Sequence, residues 1–114
     1  MNIENMETLL KALSERTRLR ILALLTQSEL RVCDLKATLN MPQSTISRHL
    51  AYLKSSSWIQ TQRKGAWIYY RLKEGDFPLQ EKLMDMLHRY LEQLPEIRSD
   101  LHKLKIYLSQ QQAF

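Results

Sequence analysis

The sequence predicts a mainly α-helical domain carrying one small β-hairpin, and three observations lead there. Gly and Pro are scarce, two and three in 114 residues, so the chain has few places to interrupt long helices. Apolar residues recur at helical spacing through most of its length. Between Trp58 and Leu72 that period gives way to Ile, Thr, Trp and Tyr, the composition of paired strands.

Ile3, Met6, Leu10 and Leu13 mark a first helix from Asn2 to Leu13. Ser14 is placed to cap a second, whose Leu19, Ile21, Leu22, Leu24 and Leu25 leave it apolar on most sides and buried at the centre of the fold. Val32 to Leu39 forms a short helix ended by Asn40, a residue that tolerates the left-handed conformation. Pro42, with φ preset, starts the next helix, from Gln43 to about Ser56. Its Ile46, Leu50 and Leu53 form an apolar edge, opposite the small and polar Gln43, Ser44, Ser47, Arg48 and Ala51. A short helix, a tight turn and a helix with a small polar outer face make a helix-turn-helix.

Trp58–Arg63 and Ala66–Leu72 follow as strands around a basic Lys64-Gly65 turn, so the whole reads as a winged helix-turn-helix. Gly75 to Pro78 breaks the chain. Two further helices carry the stripes Leu79, Leu83, Leu87, Tyr90/Leu91, Leu94 and Ile97, Leu101, Leu104, Leu108. The expected organisation is one domain over residues 1–114, with a core at about 14–73 and C-terminal helices at about 78–112. The first helix and the Leu79–Leu94 helix are expected to pair two copies into a dimer, unless the stripes only cover the chain's own core.

Charge divides the chain. Met1 to Lys73 holds 12 Lys and Arg against 5 Asp and Glu, whereas Glu74 to Phe114 holds 5 against 7. A basic body suits a polyanion. Amide, hydroxyl and guanidinium groups at Gln43, Ser44, Thr45, Ser47 and Arg48 can bond base edges and phosphates in a major groove. Arg63, Lys64 and Gly65 at the hairpin tip suit a phosphate or minor-groove contact. Arg16, Arg18, Arg20 and Arg31 add positive charge to the same half. His49 either donates to a phosphate or is a boundary histidine satisfied by a neighbouring carbonyl. Tyr69 and Tyr70 either pack the strands or touch DNA. The expected partner is double-stranded operator DNA; the rival reading makes the fold a protein-interaction module using the two C-terminal stripes.

No nucleophile–base pair, Gly-rich phosphate loop or paired carboxylate motif is present, so neither enzyme activity nor a cofactor is expected. No apolar run reaches the length of a membrane span, and the N-terminus lacks the order of a signal peptide, which leads to the cytoplasm. Cys33 is the single cysteine and excludes an intrachain disulfide.

Three motifs occur in order: Leu10–Leu25 (LKALSERTRLRILALL), Ser44–Leu53 (STISRHLAYL) and Arg63–Leu72 (RKGAWIYYRL). They resemble the opening helices, recognition helix and wing of the ArsR/SmtB family of metalloregulatory repressors. The resemblance implies a winged-helix homodimer on a palindromic operator, released by an effector and repressing a nearby operon. Two departures stand out. Ser57 occupies a position where the family commonly has Gly; if φ is positive there, Ser costs up to about 1 kcal/mol. Arg31–Lys36 (RVCDLK) resembles the family's arsenic-sensing segment (CVCDLC) with only Cys33 retained, and cations in the outer places repel a metal ion. Cys33 is then a buried small hydrophobe, a redox switch activated by Arg31 and Lys36, or a lone metal ligand. Asp85, His88 and His102 lie where the family's zinc sites form, without matching their pattern; they read as a solvated face.

Overall fold

Six helices and a hairpin follow one another in the computed structural model, which describes residues 1–112. They are α1 (Ile3–Ala12), α2 (Arg16–Leu25), α3 (Val32–Leu39), α4 (Gln43–Ser55), β1 (Ile59–Lys64), β2 (Trp67–Leu72), α5 (Pro78–Leu91) and α6 (Pro95–Gln112). α1 begins with a reciprocal cap: the Asn2 side chain accepts from the Asn5 amide at 2.8 Å, and the Asn5 side chain from the Asn2 amide at 3.0 Å. The expected Ser14 cap of α2 is not formed. Ser14 closes the preceding turn by donating its hydroxyl to the Lys11 carbonyl, and the Glu15 carboxylate accepts from the Arg18 amide at 2.8 Å instead.

α2 lies at the centre, with Ile21, Leu22, Leu24 and Leu25 buried among Leu35 of α3, Ile46, Leu50 and Leu53 of α4, and Leu104 of α6. Trp58 is fully buried, and its indole N–H donates to the Leu9 carbonyl at 3.0 Å, fastening α1 to the base of the hairpin. Ser57, just before it, has φ 67°, so the positive-φ position is met by Ser at the modest cost expected.

The strands pair antiparallel from Ile59↔Leu72 to Lys64↔Trp67. The turn residues are therefore Gly65-Ala66, one position later than the sequence suggests. Gly65 has φ 63°, and positive φ at the first of two turn residues is the demand that a type II′ hairpin places on Gly. The later turn moves each cross-strand partner by two residues, which leaves every side chain on its expected face. A bridge between Leu30 and Tyr70 (3.0 and 2.7 Å) holds the hairpin against the segment before α3.

Most of the leucines of the two stripes turn inward. Leu87 and Leu91 of α5 pack on α2 with Ile97 and Leu101, and Leu104 joins the main core. Leu83, Leu87 and Leu91 thus cover the chain's own core, while Tyr90 and Leu94 of the same stripe stay exposed. Facing outward are Ile3, Met6 and Leu10 of the α1 stripe, Met86 and Tyr90 on α5, and Leu94 just after it.

Two buried carboxylates fasten α6. Asp100, 1% exposed, accepts from Arg20 Nε and Nη2 at 2.7 and 2.9 Å. Asp34, 3% exposed, accepts from the Tyr107 hydroxyl at 2.9 Å, from the Arg31 amide at 2.8 Å and from the Arg31 guanidinium at 3.0 and 3.2 Å. Burial raises the Asp34 carboxyl pKa, but the Arg31 and Tyr107 bonds outweigh it and hold the group below the ordinary carboxylate value.

The Tyr107 phenol is pushed up to about 12, by burial first and then by its bond to the Asp34 carboxylate. An unfolded phenol ionises near pH ~10, so above that the unfolded chain holds fewer protons and stability falls as pH rises toward 12. In Tyr107→Phe this alkaline loss should be smaller, as read from urea midpoints at about pH 9 and about pH 11. Equal losses in the two proteins would detach Tyr107 from the effect.

Candidate nucleic-acid interface

α3 and α4 are joined by three residues. Asn40 takes φ 53° and ψ 52°, its amide bonding back to the Lys36 carbonyl, and Pro42 then caps α4 in extended conformation. Ile46, His49, Leu50 and Leu53 face the core at the spacing of one helical stripe. Gln43, Ser44, Ser47, Arg48 and Ala51 are exposed on the other side, with Thr45 half-buried at the edge. Among the described residues, none of the polar side chains on that face makes a hydrogen bond within the chain, so their donors and acceptors are open to a partner.

His49 is not on that face. It is 8% exposed, with Nδ1 3.7 Å from Glu15 Oε2. Burial pushes its pKa below the ordinary histidine value; Glu15 pulls it back in part, and Arg48 and Arg18 push it further down. This geometry fits the boundary-histidine reading, with the Glu15 carboxylate in place of the expected carbonyl as the neighbour.

The wing carries Arg63, Lys64 and Gly65 at or beside its exposed tip. Their states differ. Lys64 Nζ bonds the Glu29 carboxylate and lies 5.2 Å from the Tyr69 ring, so much of its charge is compensated. Arg63 has no ion-pair partner among the described residues. Tyr69 is half-buried beneath Lys64, and Tyr70 packs against the core, which places both in the strand-packing role.

The run of arginines before the helix-turn-helix is largely structural. Arg18 donates to the carbonyls of Ala12 (2.8 Å) and Lys11 (3.2 Å) at the end of α1, with its guanidinium 4.1 Å from the Tyr52 ring. Arg20 is held by Asp100, and Arg31 by Asp34. Arg16 alone of the four is exposed. Spacing could not separate these roles, because the partners of Arg20 and Arg31 depend on tertiary packing or on the fold of the next turn.

Cys33 is exposed, which overturns its reading as a buried hydrophobe: position 33 points away from the face of α3 that Leu35 and Leu39 bury. Its Sγ lies 3.9 Å from Asp34 Oδ1. Arg31, expected to activate it, is turned to Asp34 instead. Among the described residues no three His, Cys, Asp or Glu side chains converge as a metal site. Asp85 and His88 lie exposed on α5, with His88 Nε2 3.2 Å from Glu92, and His102 is exposed on α6.

Sequence reasoning missed Gln80. Its side chain is buried and donates to the Ser57 carbonyl at 2.6 Å, tying the start of α5 to the turn that follows α4. Gly75 permits this closure, since a Cβ there would stand 3.0 Å from Gln80 Cβ. No helix among the described residues is long and apolar enough to cross a membrane.

Residues 15–56, from the cap of α2 through the end of α4, match the family described as "Bacterial regulatory protein, arsR family". The chain is 32% identical over 96 residues to the transcriptional activator HlyU of Vibrio cholerae, covering 78% of this chain and 86% of that protein. It is 46% identical over 65 residues to the arsenical resistance operon repressor of Escherichia coli, covering 56% of each. It thus spans about half the length of the arsenic-resistance regulators of Pseudomonas putida and Escherichia coli that it matches. A solved structure, the homodimeric winged helix-turn-helix DNA-binding domain Mb0332 of Mycobacterium bovis, is similar with a TM-score of 0.66 at 27% identity. That likeness covers 82% of this chain and 83% of Mb0332. The fold is a winged helix-turn-helix, and the chain belongs to the arsR family of bacterial regulatory proteins.

Proposed function

We propose that the protein is a homodimeric repressor that binds operator DNA in the cytoplasm and is released by an effector other than a three-thiol metalloid. The observation that carries this reading is the exposed, internally unbonded face of α4, Gln43, Ser44, Ser47 and Arg48, beside an exposed wing. The outward apolar residues of α1 and α5 support self-association, and a two-fold dimer reads half-sites about one helical turn apart (~10 bp). Occupying promoter DNA is enough to repress. One thiol in this sequence cannot supply three thiolates to a metalloid, so the effector belongs to another class.

The reading is tested by fluorescence anisotropy on duplex DNA from upstream of the protein's own gene, against random duplex. Arg48→Ala should weaken specific binding by about 1–3 kcal/mol and leave the circular dichroism unchanged. Unaltered operator affinity would remove Arg48 from the contact, and no preference of the wild type for upstream DNA would sink the reading itself.

The two wing cations should separate in a salt titration. Arg63→Ala should lower the slope of log K against log salt by ~0.9 on both duplexes, and Lys64→Ala by clearly less, because Glu29 already compensates Lys64. A larger loss from Lys64→Ala would reverse the assignment.

Ile3 is 86% exposed, so Ile3→Glu should cost the isolated fold little. Two such charges brought together across a two-fold axis should dissociate the dimer, as read by light scattering across a dilution series. A variant that associates as tightly as the wild type would place the interface elsewhere.

A further inference from the structure

We infer that the groove between α3 and the wing is a seat for the DNA strand itself, with Lys36, Arg31 and Trp67 as backbone-binding residues beyond those on α4 and the wing tip. This rests on the DNA reading above and extends it. The groove encloses about 350 Å³ and runs between Arg31, Cys33 and Lys36 on one side and Ala66, Trp67 and Ile68 on the other, with Gln43 of α4 at its edge.

Three observations give it an occupant. The first is geometric. In B-DNA one sugar–phosphate strand separates the major groove from the adjacent minor groove. A protein with α4 in the first and a hairpin tip in the second must straddle that strand with whatever surface lies between. Here that surface is this groove.

The second observation is charge. Lys36 is exposed and has no ion-pair partner among the described residues. Arg31 spends Nε and Nη2 on Asp34, which leaves the Nη1 donors without an intrachain bond, and its guanidinium is held 4.8 Å from the Trp67 ring centroid. A cation fixed on one side by a carboxylate and on the other by an indole is preorganised for a phosphate oxygen.

The third is the wall opposite. Trp67 is 54% exposed and Ile68 is exposed beside it, on a hairpin whose remaining outward side chains are polar or charged apart from Ala66. An apolar wall facing a cationic one matches the alternation of deoxyribose and phosphate along a strand.

Cys33 provides the probe, because it is exposed on the groove wall and is the single cysteine of the sequence. The wild-type protein would be labelled with a maleimide, free and with upstream duplex at about 100 Kd. Labelling should slow by a factor approaching 100 if the bound form closes the groove to the reagent. In parallel, Lys36→Gln should lower the salt slope by ~0.9 on upstream and random duplex alike. Trp67→Ala should weaken both complexes with no change in slope. Unchanged Cys33 labelling in the saturated complex, or an unchanged slope in Lys36→Gln, overturns the groove assignment while the DNA reading stands. A wild type that binds neither duplex overturns both.

Discussion

The Asp34 carboxylate is the point on which the arrangement of the DNA-facing elements depends. It accepts the Arg31 amide at the start of α3, holds the Arg31 guanidinium, and receives the Tyr107 hydroxyl from α6. Arg31 in turn stacks on Trp67 of the wing. One buried group therefore sets three relations: where α3 begins, how α6 lies along it, and which way the wing leans. A buried carboxylate stays ionised only when its lone pairs are met by donors, and here four donors meet them. Loss of any one partner would leave the others holding a charge that burial disfavours, so the three elements keep their relation together.

Seven cations of the basic half divide between two roles. Arg18, Arg20 and Arg31 hold helix ends and buried carboxylates. Arg16, Lys36, Arg48 and Arg63 are exposed and have no ion-pair partner among the described residues. The net charge of the segment sums both, but only the second population adds to the field that an approaching duplex meets at close range. Lys64 stands between them, at the wing and yet neutralised by Glu29.

Much of the fold was legible because its signals are local. The end of α3 at Asn40, the start at Pro42, and the Ile46–Leu50–Leu53 stripe each lie within one or two turns of what they specify. The outward face of α4 followed from the same stripe by exclusion. What escaped notice was tertiary. Asp100 meets Arg20 from 80 positions away, and Tyr107 meets Asp34 from 73, so no spacing announces either pair. His49 was ambiguous because it borders the apolar stripe, and only the packing of Glu15 and α2 against α4 assigns it inward. The hairpin was displaced by one residue because Gly65 serves equally well as the second turn residue or the first; the register decides.

The face of α4 that is open to a partner holds nothing else in place. Gln43, Ser44, Ser47 and Arg48 touch no element of their own fold through a hydrogen bond among the described residues, and substitutions at such positions usually shift stability by no more than about 0.5 kcal/mol. The anchoring of the same helix rests on Ile46, Leu50 and Leu53, on the opposite side. A lineage could therefore rewrite what this helix reads, one residue at a time, without passing through an unfolded intermediate. Duplicated copies of such a gene would be free to diverge toward new targets while inheriting the scaffold unchanged.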